Sequence, residues 1–109
     1  MAEGIVQLKD DDFGAEISKG GVCVVDCWAP WCAPCLMMGP EFEAASQSVG
    51  DTARFYKLNV DEAPKTAASF GIMSIPTLLF FKEGKEAGRF VGVRRSGEIV
   101  TAVTEIAEG

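Results

Sequence analysis

A chain of 109 residues, 48% apolar and 24% charged, suits one globular domain with its own core. Sixteen acidic against ten basic residues leave a net charge of −6, which repels phosphate and argues against nucleic acid as a partner. With no run of eighteen apolar residues and no basic-then-apolar start, neither a membrane span nor a signal peptide is expected, and four cysteines then suggest a reducing cytoplasm.

In chain order, Ile5-Val6-Gln7-Leu8 reads as a short strand, and Asp10 or Asp11 as the cap of a helix reaching about Ser18, with Phe13 and Ile17 on one face. Gly20-Gly21 breaks it. Val22 to Trp28 is dense in β-branched residues and apolar on both faces, as a central strand covered on both sides requires. After Pro30, a helix opens at the cysteines, tolerates Pro34 in its first turn, and is expected to kink at Pro40 before reaching about Val49. Ala53 to Val60 is a second apolar strand, and Asp61 and Pro64 lead into a short helix ended near Gly71. Thr77 to Phe81, a turn at Lys82-Glu83-Gly84-Lys85, and Glu86 to Val93 form a hairpin. Ser96 is expected to cap a last helix with Ile99, Val103 and Ile106 inward. The order β-α-β-α-β-α-β-β-α, without repeat or linker, predicts a single α/β domain over residues 1–109.

The chemistry concentrates at Trp31-Cys32-Ala33-Pro34-Cys35, between a strand and a helix. Cysteines three apart on a helical turn have Cβ atoms about 5–6 Å apart. A disulfide closes there with little backbone movement, its usual Cα separation being about 4.4–6.8 Å. Spacing alone leaves a redox dithiol and a metal-binding pair both open. The absence of histidine removes Cys–His proteases and mixed Cys/His zinc sites. Cys23 and Cys27, four apart on a strand, are separated by about 13 Å, too far for a disulfide. They fall on the face opposite Asp26 and read as core thiols.

The WCxPC turn after a strand carrying Asp26, with Ile75-Pro76-Thr77 further on and Asp61, Pro64, Gly84 and Gly92 in matching places, resembles the thioredoxin family over essentially the whole chain. The resemblance implies a thioredoxin fold, a five-stranded mixed sheet flanked by four helices, with a cis bond at Pro76. It implies general protein-disulfide reduction in which Cys32 and Cys35 alternate between dithiol and disulfide, with no other cofactor and no metal. The partners implied are a thioredoxin reductase, since no nucleotide-binding stretch is present, and disulfide-containing proteins; a monomer is expected.

On this reading Cys32 attacks, because the N–H groups at a helix start favour a thiolate. Cys35, one turn deeper, resolves the mixed disulfide. Asp26, its carboxyl made harder to ionise by burial, becomes the base that takes the Cys35 proton directly or through a water. Lys57 on the neighbouring strand can face Asp26, and Trp28 packs beneath the site. A cis bond would leave the Ile75 backbone free to pair with an extended substrate. Trp31, Ala33, Pro34, Val60, Ile75, Val91 and Gly92, with Pro76, are expected to form the substrate-binding rim. Two departures stand out: Ala33 replaces the glycine usual there, and Leu36 a common lysine. Phe90 and Arg94-Arg95 can partly restore positive charge near the rim. An oxidase or isomerase, and a binding module whose dithiol only tunes docking, are the rival functions.

Overall fold

The computed structural model describes residues 4–109; Met1, Ala2 and Glu3, where the expected domain and the N-terminal segment read above begin, lie outside the described residues. The elements are β1 (Val6–Leu8), α1 (Phe13–Ile17), β2 (Val22–Trp28), α2 (Ala33–Val49), a 3-10 turn (Gly50–Thr52), β3 (Ala53–Asn59), α3 (Pro64–Ser69), β4 (Thr77–Lys82), β5 (Lys85–Val91) and α4 (Ser96–Glu108). The strands form one mixed sheet in the order β1-β3-β2-β4-β5. β1 and β2 run parallel to β3, while β4 runs antiparallel to both β2 and β5.

Strand alternation sorts β2 onto two cores. Val22 and Val24 join Met38 and Phe42 of α2, Phe55, Phe80, and Ile99 and Val103 of α4. Cys23, Val25 and Cys27 point the other way, to Phe13 and Ile17 of α1, Tyr56, Leu58, Ala63 and Phe81. Each core has its own aromatic contacts: Phe42 on Phe55 at 4.9 Å on one face, and Phe13, Phe70 and Phe81 at 5.4–5.8 Å on the other. Asp26 shares its parity with Val22 and Val24, so it points to the side of α2, the helix that carries Cys35.

The β4–β5 hairpin closes on Glu83-Gly84, both with positive φ (51° and 82°), as a two-residue hairpin turn requires. The Glu83 carboxylate accepts from the Gly21 amide at 3.2 Å, tying the turn to the start of β2. α2 continues through Pro40 to Val49.

Two expected caps are corrected. α1 starts after Asp12, and Asp10 instead reaches across to α3, accepting from the Thr66 amide and hydroxyl at 2.8 Å and the Lys65 amide at 3.2 Å. Three aspartates in a row offer a cap at each position, and only the tertiary fold decides which helix each serves. At α4, Arg95 rather than Ser96 is the cap residue; its amide donates to Glu98 at 3.1 Å, while the Ser96 amide donates to Glu41 of α2 at 2.8 Å. β5 also begins and ends earlier than expected, at Lys85 and Val91. Asp10→Ala strips the first turn of α3 of its acceptor and is expected to lower the thermal midpoint by about 5 °C, with Asp11→Ala as the near-silent control in the same melt.

Candidate active site

β2, the central strand, carries Asp26 and Trp28 toward its C-terminal end, and α2 opens just beyond it with Cys32 as its cap residue. Cys32 is in extended backbone conformation, and its sulfur accepts the Cys35 amide at 3.3 Å. The sulfur thus stands where a serine or aspartate would cap, receiving an orphan N–H that stabilises negative charge. The Cys32 amide donates to Ala29 at 3.2 Å, and the Leu36 amide to Cys32 at 3.1 Å, holding the turn closed. Cys35 follows on the first turn, 2% exposed against 6% for Cys32, so the second thiol is the deeper one. Burial, then the hydrogen bond with Cys32, push the Cys35 thiol up to about 12. Both cysteines are free thiols here.

Asp26 is fully buried, and neither carboxylate oxygen has a hydrogen-bond partner. Its neighbour across the parallel ladder is Lys57. Burial drives the Asp26 pKa up to about 7, with Lys57 opposing part of the rise. The Lys57 ammonium itself lies over the Trp28 ring, 4.4 Å from its centre. Trp28, like Val60 and Ile75, packs against the cluster of Ala29, Cys32 and Cys35.

The Ile75–Pro76 peptide is cis, and the Ile75 carbonyl oxygen lies 3.9 Å from the Cys32 sulfur. Val91 pairs with Thr77, and the Gly92 amide donates to the Pro76 carbonyl at 2.8 Å, bringing that loop beside the same segment. Of the expected rim, Trp31, Ala33, Pro34 and Val91 are exposed, and Val60, Ile75 and Gly92 are half-buried. Pro76 is buried, so it lies under the rim rather than on it. Trp31, Val60, Ile72, Met73, Ser74 and Ile75 line a shallow pocket of about 160 Å³.

Residues that sequence reasoning did not place at the site are Asp61, Met37 and Met73. The Trp31 indole N–H donates to the Asp61 carboxylate at 2.7 Å, across loops thirty residues apart. Met73 is 95% exposed, and Leu36 and Met37 point outward from α2. The buried positions 35, 38, 42 and 45 of that helix already mark 36 and 37 as its outer face.

Cys23 and Cys27 are buried in the core on the α1 side, as expected, and burial raises the pKa of both. Cys23 has more than apolar company, for an Arg54 N–H donates to its sulfur at 3.1 Å. Among the described residues, no group of three or more Cys, Asp or Glu is arranged to hold a metal ion, and no helix is long and apolar enough to cross a membrane.

Two thiols on the first turn of a helix, one capping it and one beneath, with a buried acid on the adjoining strand, define a thiol–disulfide oxidoreductase. A family model described as Thioredoxin matches residues 4–105, and the chain belongs to the thioredoxin family. It is similar to the thioredoxin of Bacillus subtilis (strain 168), 46% identical over 90 residues, covering 83% of this chain and 86% of that one. The thioredoxin of Alicyclobacillus acidocaldarius is 38% identical over 101 residues, covering 93% and 96%. The crystal structure of the Malassezia sympodialis thioredoxin Mala s 13 superposes with a TM-score of 0.86 at 35% identity, covering 98% of this chain and 96% of that one. The protein is accordingly a protein-disulfide reductase.

Proposed function

We propose that Cys32 is the attacking thiol, Cys35 the resolving thiol and Asp26 the base between them. The observation that carries this reading is the Cys32 sulfur at the cap of α2, accepting the amide of the deeper Cys35. The Cys32 thiolate attacks one sulfur of a protein disulfide, forming a mixed disulfide and expelling the other sulfur as thiolate. Cys35 gives its proton to Asp26, directly or through a water, and attacks the Cys32 sulfur. The internal disulfide forms and the second substrate sulfur leaves reduced. Two electrons have passed to the substrate, and the pair needs no cofactor beyond its own disulfide. A thioredoxin reductase restores the dithiol, and the cytoplasm is the compartment that suits the cycle.

Substrate docks as an extended segment beside the Ile75 backbone, over a rim of Trp31, Ala33, Pro34, Val60, Ile75, Val91 and Gly92. Pro76 shapes that rim from below. Lys57 supports Asp26 electrostatically, and Trp28 supports the floor. Brief treatment of the reduced protein with iodoacetamide near pH 7 tests the division of labour: peptide mapping should find Cys32 alkylated first, with activity lost in parallel. Earlier labelling of Cys35, Cys23 or Cys27, or full activity after Cys32 is blocked, defeats the assignment.

A further inference from the structure

The loop that follows β5 carries Val91 and Gly92, yet residues 92–95 belong to no helix or strand. Besides the Gly92 amide's hydrogen bond to Pro76 and the Arg95 amide's to Glu98, one side chain of the loop itself braces its carbonyls. A single guanidinium nitrogen of Arg94 donates to both the Val91 and Val93 carbonyls at 3.2 Å. The same guanidinium lies over the Phe90 ring, 4.7 Å from its centre. Phe90 is anchored edge-on against Phe80 in the core at 5.4 Å. Gly92 sits under the group with φ +98°, and a Cβ built there would come within 3.7 Å of the Arg94 nitrogen. The Glu98 carboxylate, 3.9 Å from the Arg94 Nε and mostly exposed, adds little. The chain of contacts therefore runs from the core through Phe90 and Arg94 to two loop carbonyls. Through the Gly92 amide it continues to Pro76, next to the residue whose carbonyl faces the Cys32 sulfur.

We propose that Arg94 is a positioning residue, a brace that holds Val91-Gly92-Val93 in the shape that receives protein substrates. This rests on the docking surface described under Proposed function. The guanidinium bridges two carbonyls through one nitrogen while its central carbon lies over the ring, whereas a lysine, with a single nitrogen on a shorter side chain, has to serve the ring and both carbonyls from one atom. The guanidinium keeps its charge near the rim while one of its nitrogens is engaged by the protein's own loop.

The test is steady-state kinetics of Arg94→Met and Arg94→Lys with insulin as the protein disulfide, beside a small aromatic disulfide that does not lie across the loop. Arg94→Met is expected to raise KM for insulin about five- to tenfold with kcat within about twofold, and to leave the small disulfide nearly unaffected. Arg94→Lys should not restore KM, and Phe90→Leu, which removes the stacking surface, should reproduce part of the rise. An unchanged KM, a fall in kcat shared by both substrates, or full rescue by lysine overturns the brace. Val91→Asp separates this from the docking reading itself. If it raises KM for insulin while Arg94→Met does not, the rim stands and the brace falls; if it leaves KM unchanged, the rim reading fails first.

Discussion

Cys35→Ser is expected to cut protein-disulfide turnover by at least about a thousandfold while leaving the first attack intact, so that substrate accumulates on Cys32 as a mixed disulfide. Two opposing magnitudes decide this. A well-placed intramolecular thiol acts at an effective concentration of about 10⁵ M or more, about 10⁸ times a millimolar external thiol. Against that, a thiol pushed to about 12 is ionised near pH 7 about three to four orders of magnitude less than an ordinary one. Placement wins by about four orders, and Asp26 in its proposed role as proton acceptor would add to the margin. Non-reducing electrophoresis and intact mass after incubation with insulin provide the readout. Multiple turnovers at near-native rate without an adduct would remove Cys35 from the resolving role.

Asp26→Asn is expected to stabilise the reduced protein and to do so increasingly with pH. The native carboxyl has a pKa of about 7 against 3.8 for an ordinary aspartate, so the folded state binds more protons than the unfolded state between those limits. Stability then falls as pH rises: the penalty is absent below about pH 4, grows through the interval and is complete above about 7. Its full size is about 4 kcal/mol as an order of magnitude. Asparagine keeps the shape and a buried polar group but carries no charge to desolvate. Urea unfolding at pH 4 and pH 8.5 should therefore show little difference from the parent at the first and a gain of a few kcal/mol at the second. A gain independent of pH would mean that the carboxyl titrates alike in the folded and unfolded protein, so that burial does not raise its pKa. The same variant should slow release of the mixed disulfide, separating a gain in stability from a loss in rate at one atom.

Local pattern carried far in this chain, and failed where partners are distant. The run Val22 to Trp28 announces itself by composition and the stripe Ile99, Val103, Ile106 by period, and both elements stand where those signals put them. Cys32 and Cys35 were legible because a helix's first turn is a local structure. Asp26 was conspicuous as the single acid in an apolar strand, and it is indeed sunk in the core. By contrast, Asp10 serving α3, Asp61 holding Trp31 and Arg54 touching Cys23 join residues thirty or more positions apart. Nothing in the neighbouring sequence encodes those pairings. Arg94 was noticed for its charge, but its role depends on the conformation of a loop whose carbonyls only the fold aligns.

The tie between Trp31 and Asp61 has a bearing on how partners are received. An indole 69% exposed would ordinarily sample several rotamers and surrender that freedom when a partner settles on it, at about 0.5–1.5 kcal/mol. Here the ring is already restrained by a 2.7 Å bond to a carboxylate on another loop. If substrates dock on the rim proposed above, its largest greasy plane meets them nearly ordered beforehand, and less entropy remains to be lost on contact.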